Sequence, residues 1–142
     1  MRQDLILPPM GALVLLTFVA LTLIPVRRFR AGFAGQVSAD DFKYGESDRV
    51  PGSVSIPNRN YMNLLELPQL FYVLCIVEYM TASVNLTTLI LAWIYVGLRA
   101  VHSAIHLTHN KVRHRLTVFA VSNFVLGTMW VLFFVKYYGG LG

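Results

Sequence analysis

Four apolar stretches, each long enough to cross a bilayer, take up most of this chain and leave little freedom over its fold. They run roughly over 5–26 ("LILPPMGALVLLTFVALTLIPV"), 60–82, 85–107 ("NLTTLILAWIYVGLRAVHSAIHL") and 116–138 ("LTVFAVSNFVLGTMWVLFFVKYY"). About 20 apolar residues in a helix span the hydrocarbon core, where backbone polar groups must be satisfied within the segment. The expectation is an all-α integral membrane protein, a four-helix bundle with four transmembrane helices per protomer. It forms one domain over 1–142, with no stretch left for a separate soluble domain. Charged residues make up only 13% of the chain, against about 25% in a soluble domain.

The first span reads as retained, because its basic residues ("VRRFR") follow the apolar stretch, whereas a cleavable signal peptide carries them before it. Spans two, three and four are joined by short links and pack as antiparallel neighbours. The connection 27–59, centred on "GFAGQVSADDFKYGESDRVPGSVSIPN", is long. Loops of that length serve as lids or stay flexible, and both readings remain open.

Charge predicts orientation. Arg27, Arg28, Arg30, Lys43, Arg49 and Arg59 lie in the first loop, and Lys111, Arg113 and Arg115 between spans three and four. Only Arg2 and Lys136 fall on the other side. The positive-inside rule then places loops 27–59 and 108–115 in the cytoplasm and both termini outside. The net charge of +5 is therefore a topology signal, and no stacking module accompanies it, so nucleic acid is not an expected partner. Tyr137 and Tyr138 read as interfacial anchors. Glu78, near the outer end of span two, reads as a snorkelling carboxylate. The one cysteine, Cys75, lies mid-span, which excludes an internal disulfide and makes it a core residue.

Polar residues inside hydrocarbon are costly and ask for a reason. In "RNYMNLLELP", Arg59, Asn63 and Glu66 stand at i, i+4 and i+7, one stripe of a helix. On span three, His102, His106 and His109 follow Arg99 at i+3, i+7 and i+10, again on one face. Glu66 lies about 9 Å and Arg99 about 12 Å from the cytoplasmic ends of their spans, at 1.5 Å per residue. Opposite charges at similar depth predict a Glu66–Arg99 ion pair. With Arg113 and Arg115 just outside the membrane, these residues form a cationic cleft. It suits a small ligand with two or more carboxylates and an ammonium group, a description glutathione fits; phosphates and anionic lipids are alternatives. His102 and His106 have no Asp, Glu or Cys beside them on that helix, so no metal is expected.

These residues resemble a known pattern. "RNYMNLLELPQLF" matches the Arg-x3-Asn-x2-Glu-x-Pro signature of the membrane-associated proteins in eicosanoid and glutathione metabolism, the MAPEG family. "RAVHSAIHLTHNKVRHRLTVF" is similar to its second signature through Arg99, His102, Arg115 and Phe119. The likeness covers nearly the whole chain and lies closest to the bacterial branch, which implies a bacterial inner membrane. It implies a homotrimer with glutathione bound as co-substrate between neighbouring subunits. Arg59, Asn63, Glu66, Arg99 and His102 would hold the tripeptide, and Arg28 (with Arg27) would reach it from the adjacent subunit. Arg115 would favour the thiolate, with Arg113 the alternative within "KVRHR". The chain departs from the pattern at His106, where the family often has Tyr.

The implied activity is that of a membrane-bound glutathione-dependent transferase or peroxidase acting on lipophilic electrophiles or lipid hydroperoxides. Its partners are the lipid bilayer, further copies of the chain and a lipophilic small-molecule substrate. A non-catalytic binding or scaffold protein and a small anion transporter remain as alternatives, the last weakened by the lack of inverted repeats. The topology is directly testable. Single cysteines at Ser47 and Asn110 should resist an impermeant thiol reagent applied outside intact cells, and strong labelling would invert the orientation.

Overall fold

The computed structural model describes residues 1–139, and those residues are helical with no strand among them. A short 3-10 turn, Gln3–Ile6, leads into α1 (Leu7–Phe33); α2 (Gly52–Leu65), α3 (Pro68–Met80), α4 (Leu86–Leu107) and α5 (Val112–Gly139) follow. The stretch from Gln3 to Phe33, α4 and α5 are each long and apolar enough to cross a membrane.

The expected second span is two helices. Pro68 has no N–H to give and its ring crowds the carbonyl four residues back, so α2 stops at Leu65 and α3 restarts with Pro68 in its first turn. The chain turns at Glu66 (φ −84°, ψ −107°). Neither helix reaches across a core of about 30 Å, since 14 residues rise only about 21 Å. In tandem they run the length of α1. Val54 near the start of α2 packs with Ala31 at the end of α1, and beyond α3 the N–H of Val84 donates to Gln3 Oε1 at 2.8 Å.

Every third or fourth residue of the bundle faces inward. Phe71, Leu74, Cys75 and Glu78 form the buried stripe of α3. Phe71 stacks on Tyr95 of α4 with ring centroids 4.8 Å apart. Glu78 therefore does not snorkel: it falls on that inward stripe and is 1% exposed. The link to α4 is closed by Asn85, whose side chain accepts from the Thr88 N–H while Thr88 Oγ1 accepts from the Asn85 N–H.

The long connection is shorter than the sequence predicts and it is folded. Helix α1 continues seven residues past Val26, and α2 begins at Gly52 despite Pro57 inside it, leaving 34–51 as a strap. Turn-type residues at Pro51, Gly52 and Pro57 disguise the start of α2. The strap is organised on Asp41, 6% exposed. Its carboxylate accepts from the Ser38 N–H (2.8 Å), the Ser38 hydroxyl (3.0 Å) and the Ser47 hydroxyl (2.7 Å). Val37 and Phe42 pack against Ala31, Val50 and Val54, a small core separate from that of the bundle. Arg28 ties the strap to α1, pairing with Glu46 at 3.0 Å and lying 4.4 Å from the centre of the Phe42 ring.

The Ser38 backbone N–H, followed by the Ser47 and Ser38 hydroxyls, holds the Asp41 carboxyl below the usual carboxylate range. A lowered folded value means that the strap's stabilisation is complete above the unfolded pKa, about 3.9, and fades as pH falls through the folded value. A spin label at Tyr44 should be restrained at pH 7 and become mobile only below about pH 4. Asp41→Asn should mobilise it at pH 7. A label equally restrained in both proteins would remove Asp41 as the hub.

Candidate functional site

The break before Pro68 has a chemical consequence one turn back. A helix leaves its last four carbonyls without intrahelical partners, and the Asn63 carbonyl is one of these in α2. Arg99 of α4 meets it. Its Nη2 donates to the Asn63 carbonyl at 3.0 Å and to the Asn63 side-chain Oδ1 at 2.6 Å. Arg99 is fully buried, so these bonds lie out of water, where a charged donor and a neutral acceptor bond strongly.

The expected Glu66–Arg99 ion pair is absent. Among the described residues the ion pairs are Arg2–Asp4, Arg28–Glu46 and Arg49–Asp41. Glu66 lies beyond the end of α2, exposed. The i, i+4, i+7 stripe assumed an unbroken helix through 66, and the turn at Glu66 removes that register.

One turn on from Arg99, His102 is 2% exposed, with its ring 5.8 Å from that of Phe119 on α5 and 5.9 Å from that of His106. Arg115, in the first turn of α5, is held by the α4–α5 link: its Nη1 donates to Asn110 Oδ1 at 2.7 Å. Asn110 has a positive φ of 45°, a conformation Asn tolerates better than most residues, and its N–H closes α4 on the Ile105 carbonyl at 2.8 Å. The residue that turns the chain also orients the guanidinium.

Asn63, His102, Arg115 and Phe119 line one cavity of about 230 Å³, with Val112 and Leu116. Arg99 stands behind it, bonded to Asn63 and 5.8 Å from the Phe119 ring. Several buried polar atoms here have no hydrogen-bond partner among the described residues: Arg99 Nε and Nη1, both side-chain atoms of Asn60, Ser103 Oγ, and Nδ1 of His102 and of His106. Buried polar groups are nearly always bonded, so a cluster of orphans marks a place where something else bonds them. The cavity lining has a cation, an amide and an imidazole but no carboxylate, and it can take an anionic ligand.

The structure thus brings Asn63, Arg99, His102 and Arg115 together. The other candidates do not line that cavity. Arg59 and Glu66 are exposed and outside the lining, and Arg113 is exposed. Arg28 lines a different groove, at the end of α1. Sequence reasoning missed Asn60 and Asn110. The signal for Asn110 was its place in a short, four-residue helix link, where Asn is a common left-handed residue.

In the comparisons with known proteins, the model of the MAPEG family matches residues 6–135 of this chain. No curated protein and no solved structure matches it.

The two accounts of Arg99 differ in a double-mutant cycle read by thermal unfolding in detergent. Asn63→Ala should cost about 1.5–3 kcal/mol, the range for a bond to a charged group. Its effect should largely vanish when Arg99→Leu is already present, whereas Glu66→Gln and Arg99→Leu should add. Strong coupling to Glu66 and none to Asn63 would restore the ion pair.

Proposed function

This chain belongs to the MAPEG family, and from that premise we propose that it is a membrane-bound glutathione-dependent transferase or peroxidase that works as a homotrimer. Its substrates are lipophilic electrophiles or lipid hydroperoxides. The observation that carries this reading is the convergence of Asn63, His102 and Arg115 on one cavity, with the unpartnered donors of Arg99 behind it. The donor set fits glutathione, because fixed guanidinium groups and an amide suit carboxylates and peptide carbonyls. Glutathione supplies the thiol that becomes the nucleophile.

The size of the cavity supports assembly. At about 230 Å³ it is smaller than the roughly 300–1,000 Å³ of most small-molecule sites. A second subunit would enlarge it and bring further groups to it. Arg28 is the candidate to enter from the neighbour, and Arg59 and Glu66, exposed in one protomer, would become covered.

Arg115 carries the chemistry. A free thiol of pKa about 8.5 is only about 3% thiolate at pH 7. Lowering that pKa by about two units takes roughly 2.7 kcal/mol and makes most of it thiolate. A guanidinium in a partly desolvated cavity supplies energy of this order. Asn110 pre-positions Arg115, so little of that energy goes into ordering the side chain. The thiolate forms a C–S bond at an electrophilic carbon, which expels its leaving group or, after addition to a double bond, takes up a proton. With a hydroperoxide it takes the terminal oxygen as the O–O bond breaks, and the alkoxide is protonated to an alcohol. A second glutathione reduces the resulting sulfenic acid to give the disulfide and water. Apolar substrates reach such a site laterally from the bilayer. With loops 27–59 and 108–115 in the cytoplasm, the site opens towards the cellular glutathione pool.

The test is glutathione binding and thiolate absorbance with purified protein, then turnover with a lipophilic electrophile and a lipid hydroperoxide. Arg115→Leu should keep glutathione affinity within several-fold while abolishing the thiolate signal and turnover. Replacing Arg99 should weaken binding itself, by about 2–5 kcal/mol for a truncated desolvated charge. Binding without ionisation in the unaltered protein would identify a non-catalytic binding protein. No binding at all would mean that the chain shares the family's fold and not its ligand.

A further inference from the structure

The arginines of this molecule are held in two different ways. Arg2 pairs with Asp4, Arg28 with Glu46 and Arg49 with Asp41, and none of these six residues lines the cavity. The two guanidinium groups of the site have no carboxylate within ion-pair distance among the described residues. Arg99 donates to the Asn63 side chain and Arg115 to that of Asn110, so each meets a neutral carboxamide oxygen.

The type of partner decides how much charge is left over. A carboxylate and a carboxamide accept the same N–H with similar geometry, but the carboxylate brings a full opposite charge. At hydrogen-bond distance that charge cancels most of the guanidinium's field a few ångström away, and a bound anion then gains little. A carboxamide fixes the side chain and leaves its charge intact. Glu66, the acid nearest in sequence to the site residues of α2, is exposed and pairs with neither arginine. The other ionisable groups around the cavity are His102 in its lining, His106 beside that ring and Arg99 behind, none of them acidic. Lys111, Arg113 and His114 flank Arg115 in the chain.

Asn110 is itself fixed before it meets Arg115. Its φ is 45°, and its N–H closes on the Ile105 carbonyl at 2.8 Å, next to the bond from the Thr108 N–H to the Ala104 carbonyl at 3.1 Å. Its carboxamide therefore projects from a closed turn. The 2.7 Å bond to Nη1 is the one hydrogen bond the Arg115 guanidinium makes among the described residues. A guanidinium has five N–H donors, so most of them stay free for a ligand.

We propose that Asn110 is a positioning residue whose neutrality is its function: it aims Arg115 into the cavity without cancelling the charge that an anionic sulfur needs. The inference rests on the role given to Arg115 above. Asp has nearly the same shape as Asn and also tolerates the left-handed conformation. At position 110 it would silence Arg115 while leaving that residue in place.

The experiment uses the full-length protein in detergent and reads two thiols. The first is bound glutathione, titrated by thiolate absorbance. With Asn110→Asp its apparent pKa should rise by about one unit or more, towards the free value of about 8.5. Asn110→Gly keeps the turn, because Gly accepts a positive φ freely, and removes only the anchor. The rise should then be clearly smaller, since Arg115 keeps its charge.

The second thiol needs no glutathione. Leu116→Cys places one on the cavity wall beside Arg115. The native Cys75 is fully buried, so the pH profile of alkylation reports the introduced thiol. Its apparent pKa should lie below about 8.5 with Asn110 in place, and should rise in the same order, least with Gly and most with Asp. If glutathione is never ionised while this order holds, the proposed activity fails and the role of Asn110 stands. An introduced thiol with the same profile beside Asn110 and beside its Asp replacement overturns the proposal, whatever glutathione does. So does an equal rise with Gly and with Asp, because loss of the anchor alone would then account for it.

Discussion

The bond from Arg99 to Asn63 is the point on which the functional end of this bundle turns. A buried guanidinium in a membrane protein is tolerated only where partners are fixed in advance. Here the partner is made by a defect: Pro68 ends α2, the ending frees a backbone carbonyl, and Arg99 accepts the task of capping it. One contact thereby closes a helix, joins α2 to α4 and holds the Asn63 side chain at the cavity mouth. With a helix former at 68 the helix could run on, the Leu67 N–H would then reach the Asn63 carbonyl, and Arg99 would lose part of its reason to be there.

Around that contact the molecule divides its polar groups by function. Near the end of the bundle where α3 meets α4, most are used in structure. Gln3 clasps Val84, Asn85 and Thr88 cap each other, and Lys136 donates to the Ser83 carbonyl at 2.9 Å. At the arginine-rich end many buried polar atoms stay without partners. The difference is one of degree, since the buried Glu78 Oε2 at the other end also lacks a partner among the described residues.

Much of the architecture was legible because hydrocarbon is a demanding solvent. The helix at Leu86–Leu107 lies within a residue of the stretch read from apolarity, and Asn63, Arg99 and His102 stand out as polar residues inside expected spans, whereas Arg115 is marked only by the family resemblance. What could not be read depends on backbone events. A kink and a break at Pro68 look alike in sequence, yet only the break exposes Glu66 and gives Arg99 a carbonyl in place of a carboxylate. The strap was hidden for a related reason. Its hub, Asp41, is one of several acids in a polar run, and nothing local distinguishes the one that gathers Ser38 and Ser47.

The division of the expected second span into α2 and α3 also bears on how the chain enters the membrane. A segment partitions into lipid on its own only if its summed transfer energy is favourable, and each central Asp, Lys or Arg adds about 2.5–3.5 kcal/mol against it. Helix α3 is apolar but short, and α2 carries Arg59, Asn60 and Asn63. Helix α2 therefore settles against α1, its main packing partner, after α1 is in place and as α4 arrives with Arg99. Biogenesis of this fold has an order, with the greasy helices inserting first and the polar one recruited by them.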